Sequence, residues 1–587
     1  MNKMKMTLMA AALTTIAAPV MAKSDTVRLV VSSYKNAEYG YTTQASVSDN
    51  VCVMSPGAEV QWCVPGAVAK RSGLATQASA SKRVLKTEVV ELDSYGYDAK
   101  DIAQSLRETG RFDEVVVDVP VRHAYTFTET EPTKSYQDRY FGSSSDFASG
   151  SNVYAAAAMI GEPGGEKLDV LVLDSSFYDT DDVVYHPGSG RSFVTADNET
   201  PNDDYRPRSV EGCDGHGVAV AGIIGGTINN GAGGDGVTNA VNLHPVRVMN
   251  CGSGYLSDIS RALKWANGDS ENLFYGDTSD ASPYQGNVGV INISITGYTG
   301  SEESGDEAPA GCPIYMQEAI DSLKASGWNV VVAAGNNYGE QARDYSPANC
   351  DGVISVAALD SDGDKANFSN QGEVSVAAHG TSLVSSCDEN SDAYCLFSGT
   401  SAASPFVAGI MAMVKQHTNI EADTLDLLTK ATASKANFGP ECQASGCGNG
   451  LVNAKALLDA AVKNDSGELN TISFALNEGD DCDTAWFMDH FGGVARLCEM
   501  YSVKFVGGFD QDDAVYRLFS APDGLDMGDP ANQTLIGEFE KGHVMLQDLQ
   551  IEGNQFGMQI CSDGQCGEVF EMNTTEAQSD NQPVACQ

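Results

Sequence analysis

Basic residues are scarce in this chain of 587 residues, which has 35 Lys and Arg against 80 Asp and Glu and a formal net charge of −45. Such an excess of negative charge argues against nucleic acid and anionic membranes as partners. Beyond the N-terminus no apolar run is long enough to cross a bilayer, so a membrane-spanning protein is not expected. The hydrophobic content of 42% is that of a globular protein and excludes a disordered chain.

The N-terminus combines two basic residues with an apolar run. Lys3 and Lys5 precede an apolar run that ends at Val20-Met21-Ala22. This pattern is typical of a secretory signal peptide over residues 1–22, with cleavage after Ala22. We therefore expect the mature protein to be exported and soluble outside the cell. We also expect it to be a monomer.

The 15 cysteines agree with export, because disulfides are the default in exported proteins. A zinc site made of C-x₄-C pairs is the alternative that the spacing leaves open. Proximity along the chain predicts five disulfides: Cys52 with Cys63, Cys387 with Cys395, Cys442 with Cys447, Cys482 with Cys498, and Cys561 with Cys566. Four of the other cysteines, Cys213, Cys251, Cys312 and Cys350, remain for longer-range pairs, and Cys586 is left over.

Hydrophobic periodicity divides the chain into four regions after residue 22. Residues 23–130 form a small predicted α+β unit, and the polar residues 131–151 are interpreted as a linker or an N-terminal segment of the mature protein. Over residues 152–464, continuous apolar runs such as LDVLVLD and WNVVVAAG alternate with helical segments, which predicts an α/β domain with a parallel sheet. Residues 465–587 contain short strands between turns and predict an all-β, sandwich-like domain.

Four polar residues stand at predicted strand ends or helix starts: Asp174, His216, Asn336 and Ser401. Taken alone, each residue could have an ordinary structural role, as a turn residue, a structural hydrogen-bonding histidine or a helix N-cap. However, active residues of α/β sheets gather at the carboxyl ends of strands. The free N–H groups of a helix start can also stabilise an oxyanion. The joint occurrence of the four residues therefore favours an active site.

The segments around these residues resemble those of the subtilisin-like serine proteases over about residues 150–463. The similarity lies in Asp174-Ser175, GHG at 215–217, AGN at 334–336, and GTS at 399–401 with Pro405. The segments GSGYLSD at 252–258 and ARDYSPA at 342–348 are most similar to the proteinase K branch. The resemblance implies a parallel-sheet catalytic domain in a secreted serine endopeptidase that acts on proteins or peptides. Residues 23 to about 130 would be a propeptide that inhibits the enzyme and is removed by it, whereas an independent accessory domain is the alternative.

The resemblance also implies a role for each site residue. Ser401 would be the nucleophile, His216 its general base and Asp174 the residue that orients the histidine. Asn336 and the Ser401 N–H would stabilise the oxyanion. Substrate would lie between two walls as an added strand, made of Gly252, Ser253, Gly254, Ser294, Ile295 and Thr296 on the strand edges and Ala333, Ala334 and Gly335 beside the main side-chain pocket.

The chain departs from the family pattern near two of these residues. Val218 and Ala219 stand where the family usually has Thr and His, and Ala402 where Met is common. A catalytically silent binding protein that acts through its C-terminal β-domain is therefore the second hypothesis. No cofactor is expected for the chemistry. Calcium is common in the family, and the acidic loops at 179–182 and 359–365 leave a structural calcium ion open, with unassigned ligands.

Overall fold

The computed structural model describes residues 26–36, 51–55, 60–64, 83–122, 126–128, 134–161, 167–195, 204–207, 215–230, 233–268, 284–300, 311–387 and 394–465, together with eight short strands beyond residue 473. These residues fall into two compact units, and the boundary between them lies after Asp118. The predicted signal peptide lies outside the described residues.

The first unit is a three-stranded antiparallel sheet with one helix and a separate hairpin. Strand β1 is central in the order β4-β1-β5, and β2 pairs with β3. Leu29 and Val31 of β1 are fully buried with Ile102 and Leu106 of the helix, so the alternating strand and the amphipathic helix share one core. The α+β prediction is confirmed here. The elements are β1 (Thr26–Asn36), β2 (Val51–Met54), β3 (Gln61–Val64), β4 (Arg83–Asp93), α1 (Ala99–Arg107) and β5 (Glu114–Val117).

The second unit contains the elements from Val119 onward, and up to residue 465 they alternate between strands and helices. They are β6 (Pro120–Val121), β7 (Thr126–Thr128), α2 (Lys134–Phe141), α3 (Val153–Ile160), β8 (Leu168–Asp174), β9 (Arg191–Ser192), α4 (His216–Gly225), β10 (Val241–Arg247), β11 (Met249–Asn250), β12 (Ser253–Tyr255), α5 (Leu256–Ala266), β13 (Val290–Ile293), β14 (Gly297–Tyr298), α6 (Ile314–Ala325), β15 (Asn329–Ala333), β16 (Tyr345–Ser346), β17 (Val353–Leu359), β18 (Val376–His379), β19 (Leu383–Ser386), β20 (Tyr394–Ser398), α7 (Thr400–His417), α8 (Ala422–Ala431), α9 (Pro440–Ser445) and α10 (Ala454–Asp465).

A seven-stranded parallel sheet forms the centre of this unit, in the order β18-β17-β15-β13-β8-β10-β9. Every residue of β13, β15, β17 and β18 is buried, because helices cover the sheet. The 18-residue helix α7 packs against those same four strands and against α4. The predicted α/β fold with a parallel sheet is therefore confirmed, and the runs LDVLVLD and WNVVVAAG form β8 and β15.

The polar stretch at 131–151 is not merely a linker. It contains α2, whose Tyr140 and Phe141 are 2% and 3% exposed and belong to the main core. The Tyr140 hydroxyl also accepts a hydrogen bond from the Val384 N–H at 3.1 Å. Burial of Tyr140 and Phe141 anchors this helix in the main core, which agrees with the other interpretation of residues 131–151, an N-terminal segment of the mature protein.

Strands were correctly predicted at the C-terminus, where antiparallel pairing joins β21 (Phe474–Leu476), β22 (Met500–Val503), β23 (Val515–Pro522), β24 (Thr534–Phe539), β25 (Val544–Gln547), β26 (Asn554–Ser562), β27 (Gln565–Cys566) and β28 (Phe570–Met572). They form two sheets. A separate sandwich-like domain stays a prediction.

Disulfides join Cys52 to Cys63, Cys387 to Cys395 and Cys442 to Cys447, as predicted. A longer-range bond joins Cys312 to Cys350. Cys561 and Cys566 lie opposite each other in the β26–β27 pairing, whereas the predicted pair of Cys482 and Cys498 lies outside the described residues.

Candidate active site

Asp174 and His216 meet at the carboxyl edge of the parallel sheet. Asp174 is the last residue of β8, and His216 is the first residue of α4. Their side chains are fully buried, and the His216 Nδ1 atom lies 2.6 Å from Asp174 Oδ1. The Ser175 N–H donates to the same carboxylate oxygen at 2.7 Å. A carboxylate next to Nδ1 fixes the proton there, which leaves Nε2 as the basic nitrogen.

Two glycines let the start of α4 approach the sheet closely enough for this contact. A methyl group at Gly215 would lie 1.7 Å from the Cys387 carbonyl oxygen, and one at Gly217 would lie 2.9 Å from the Ser176 oxygen. The backbone therefore requires glycine on both sides of the histidine.

Ser401 is the second residue of α7 and is 2% exposed. Its Oγ donates to the carbonyl oxygen of Ser294, which follows β13, at 3.0 Å. Ser294 Oγ donates in return to the Ser401 carbonyl oxygen at 3.1 Å. Two hydrogen bonds thus join the nucleophile candidate to the predicted substrate-binding segment.

A buried polar network supports this junction and was missed by the sequence analysis. Asn292 Nδ2 donates to Ser294 Oγ at 3.0 Å, and Ser404 Oγ donates to Asn292 Oδ1 at 3.0 Å. All three side chains are at most 1% exposed. The signal that could have revealed the network is an asparagine inside the apolar strand VINI.

Asn336 is held in one orientation by the residue before Ser401. Its Oδ1 accepts from both the backbone N–H and the Oγ1 of Thr400, at 2.9 Å each. A backbone N–H can only donate, so the accepting atom must be the carboxamide oxygen. The NH₂ group of Asn336 therefore points away from Thr400 and can act as a donor to another group.

Asn370 holds the turn that carries Asn336, a role that sequence reasoning did not anticipate. The fully buried Asn370 donates through Nδ2 to the Ala334 carbonyl oxygen at 3.0 Å and accepts from the Asn337 N–H at 2.8 Å. Gly335 between them has φ +103°, a conformation that favours glycine. Nothing in the sequence marks Asn370, because its partners are distant along the chain.

The predicted substrate walls already bind a strand of this chain. Gly254 pairs with Val121 of β6, and Thr296 forms an isolated antiparallel bridge with Arg122. The role of the remaining wall residues in substrate binding stays a prediction. Ser253 begins β12 after Gly252, Ile295 is 1% exposed between Ser294 and Thr296, and Ala333 ends β15 ahead of Ala334 and Gly335.

Comparison with known proteins identifies the family. The family profile described as "Subtilase family" matches residues 165–450. Subtilisin DY of Bacillus licheniformis is 34% identical over 247 residues, which are 41% of this chain and 77% of that protein. This chain belongs to the subtilase family.

Two other relatives are named as extracellular enzymes. An "Extracellular protease" of Xanthomonas campestris is 33% identical over 328 residues, 54% of this chain and 53% of that protein. An "Extracellular basic protease" of Dichelobacter nodosus is 32% identical over 259 residues, 42% of this chain and 39% of that protein. The chain thus spans about half or less of these two relatives. Similarity to the proteinase K branch of the subtilases stays a prediction.

The departures from the subtilase pattern are accommodated by packing. Val218, Ala219 and Ala402 are fully buried, and all three belong to the main hydrophobic core. Apolar residues of the core therefore fill the places of the usual Thr, His and Met.

The two acidic loops use their carboxylates within the protein. Asp182 accepts from Asn230 and Ser386, each at 2.9 Å, and Asp360 accepts from the N–H groups of Asp362 and Asp364. Within the described ranges no group of three or more His, Cys, Asp or Glu side chains could hold a metal ion. A calcium ligand set stays unassigned. In the same ranges no helix is long and apolar enough to span a membrane.

Proposed function

We propose that this subtilase is a secreted serine endopeptidase that cleaves proteins through an acyl-enzyme on Ser401 and is made as a self-processed proenzyme. The observation that carries the proposal is the buried 2.6 Å contact between His216 and Asp174 at the sheet edge where Ser401 and Asn336 also lie. The extracellular relatives and the sequence of residues 1–22 support secretion.

The proton path follows from this arrangement. Ser401 gives up its hydrogen bond to Ser294 and passes its proton to His216 Nε2 as Oγ attacks the substrate carbonyl carbon. Asp174 stabilises the imidazolium and keeps the proton on Nδ1. His216 then protonates the leaving amine, and water hydrolyses the acyl ester by the reverse use of the same base.

Asn336 and the Ser401 N–H stabilise the oxyanion. The Asn336 NH₂ group is pre-oriented by Thr400, so it needs no reorganisation when charge develops. The Ser401 N–H belongs to the first turn of α7, where N–H groups lack helical partners. Two fixed donors of this kind favour the tetrahedral intermediate over the planar amide.

Peptide substrates would bind by adding a strand between Gly254 and Thr296. The pairing of β6 on these residues supports this mode, because an extended peptide makes the same main-chain hydrogen bonds whatever its side chains. Proteins and the enzyme's own N-terminal segment are therefore the proposed partners of a monomeric enzyme. Nucleic acids and membranes are not.

The test is labelling by a serine-reactive phosphonate. Purified processed protein should take up one equivalent of the reagent, and peptide mapping should place it on Ser401. His216→Ala and the denatured parent are the controls and should take up none, because the hydroxyl is activated only in the folded site. Labelling of another serine, or none in folded, processed protein, would favour the silent binding protein.

A further inference from the structure

The His216 imidazole packs against the ring of Phe397. The two ring centroids are 5.3 Å apart, the ring planes meet at 87°, and both side chains are fully buried. Perpendicular packing of this kind is a favoured geometry for aromatic rings. Phe397 therefore contacts the proposed general base, although a hydrocarbon ring can neither give nor take a proton.

The hydrogen bond to Asp174 fixes one end of the imidazole. His216 Nδ1 lies 2.6 Å from Asp174 Oδ1, but a contact at a single ring atom still allows the ring to tilt about the line that joins the two atoms. Nε2 would move with such a tilt. A close-packed ring perpendicular to the imidazole opposes it, because a well-packed interior leaves no space for the movement. The polar contact and the aromatic contact together restrict where Nε2 lies.

Phe397 belongs to the face of the β19–β20 hairpin that packs on α4. Ser385 of β19 pairs with Cys395 of β20, two residues before Phe397. In antiparallel strands, opposite residues and residues two apart share a face. Ser385 Oγ donates to the Ala219 carbonyl oxygen of α4 at 2.7 Å. The face that carries Phe397 is therefore turned toward the helix that begins with His216.

This hairpin is fixed in place from several sides. A disulfide between Cys387 and Cys395 joins its two strands. Strand β20 is central in the order β19-β20-β7, so both of its edges are paired. A methyl group on Gly215 would lie 1.7 Å from the Cys387 carbonyl oxygen. The disulfide-bonded part of the hairpin thus lies directly against the residue before His216.

The same strand leads to the nucleophile. Strand β20 ends at Ser398, and Gly399 connects it to α7, in which Ser401 is the second residue. The Gly399 N–H donates to the Gly380 carbonyl oxygen at 2.9 Å, and the Ser382 N–H donates to Ser398 Oγ at 2.7 Å. One strand therefore carries both the ring that contacts the base and the turn that carries the nucleophile.

We propose that Phe397 is a positioning residue that holds His216 in the orientation toward Ser401 that proton transfer requires, and that the disulfide-bonded β19–β20 hairpin keeps Phe397 in place. This inference rests on the proposed function of Ser401 and His216. It assigns Phe397 no step of the chemistry, because the ring acts only through the imidazole. Catalysis depends steeply on such geometry, and a misplacement of about 1 Å can lower the rate about 10²-fold.

Phe397→Leu tests the contact with His216. Leucine keeps the site apolar and removes the flat ring, so kcat on a peptide amide should fall about 10- to 100-fold while KM changes little. Phe193→Leu is the matched control, because Phe193 is also fully buried but packs on Trp265, with 5.6 Å between ring centroids. It should lower Tm and leave kcat near the parental value. Rates are expressed per folded molecule, measured by near-ultraviolet circular dichroism.

A double-mutant cycle with His216 separates positioning from a general loss of structure. The residual rate of His216→Ala comes from the oxyanion donors and from substrate binding, and it does not depend on an imidazole. Phe397→Leu should therefore leave kcat almost unchanged in the His216→Ala background, although Tm should still fall.

The Cys387→Ala/Cys395→Ala double variant tests the hairpin and replaces Phe397→Leu if that chain does not fold. Loss of the disulfide should loosen the hairpin beside Gly215 and lower kcat with little change in KM. In the His216→Ala background it should leave kcat almost unchanged.

The outcomes separate this inference from the proposed function. A parental kcat per folded molecule in Phe397→Leu, or in the double cysteine variant where Phe397→Leu does not fold, would overturn the positioning role and leave the protease proposal standing. An equal loss of kcat with and without His216 would do the same. Peptide cleavage that survives Ser401→Ala would overturn the proposed function itself.

Discussion

Removing the hydroxyl of Thr400 should slow catalysis through Asn336. Thr400 is fully buried; its Oγ1 donates to Asn336 Oδ1 at 2.9 Å and accepts from the Gly335 N–H at 3.2 Å. Thr400→Val keeps the shape and deletes both bonds. The backbone N–H of residue 400 still holds Asn336, so the carboxamide is loosened rather than released.

The magnitude follows from one lost hydrogen bond. Such a bond contributes about 0.5–1.5 kcal/mol, which corresponds to a decrease in kcat of about 2- to 12-fold if it is fully expressed in the transition state. Asn336→Ala should cost more, about 10²–10³-fold, a magnitude known from this family. The unpaired Gly335 N–H should also lower the free energy of unfolding by about 1–3 kcal/mol.

The assay is a double-mutant cycle in kcat on a peptide amide for which chemistry limits the rate. Thr400→Val should lower kcat with little change in KM, and Thr400→Ser should restore it. In an Asn336→Ala background Thr400→Val should leave kcat almost unchanged while the loss of stability remains. An equal loss of kcat in both backgrounds would refute the idea that Thr400 acts through Asn336.

Three further predictions concern other parts of the second unit. Burial, with the charge of Arg139, lowers the pKa of His379 from 6.5 to about 4, so the free energy of unfolding should fall by about 3 kcal/mol between pH 6.5 and pH 4. Urea unfolding at each pH should show a smaller loss of stability for His379→Gln than for the parent over this range, and an equal loss would refute this. Asn370→Ala should lower both Tm and kcat, and Asn370→Asp should not restore them, because a carboxylate oxygen would replace the Nδ2 donor opposite the Ala334 carbonyl oxygen; a parental kcat in the alanine variant would show that the turn does not need Asn370. A chain that ends at Asp465 should cleave a short peptide with near-parental kcat/KM, because every candidate site residue precedes it and α10 packs in the main core; loss of cleavage in a truncated chain that remains folded would contradict this.

The parallel sheet could be predicted because its strands are buried on both faces. Such strands are continuous apolar runs, as LDVLVLD of β8 and VISVAAL of β17 illustrate, and local sequence is enough to recognise them. The polar helix α2 could not be predicted in this way. It is stabilised by tertiary burial of Tyr140 and Phe141, and not by a periodic apolar face.

The residues of the candidate site likewise include some that local sequence predicts and some that it does not. Asp174, His216, Asn336 and Ser401 could be named because each sits in a short local motif. The hydrogen bonds that orient them, such as those from Asn370, join positions far apart in the sequence. The binding of residues 119–122 to the cleft edges is likewise set by main-chain hydrogen bonds, which leave no side-chain signature in the sequence.

Burst kinetics test covalent catalysis by Ser401 most directly. Purified processed protein is mixed with a nitrophenyl ester, and nitrophenolate release is followed from the first milliseconds. An acyl-enzyme predicts a burst of one nitrophenolate per molecule before the slower steady state, and no burst in Ser401→Ala. A linear release in the parent, or an equal burst in the alanine variant, would contradict an acyl-enzyme on Ser401.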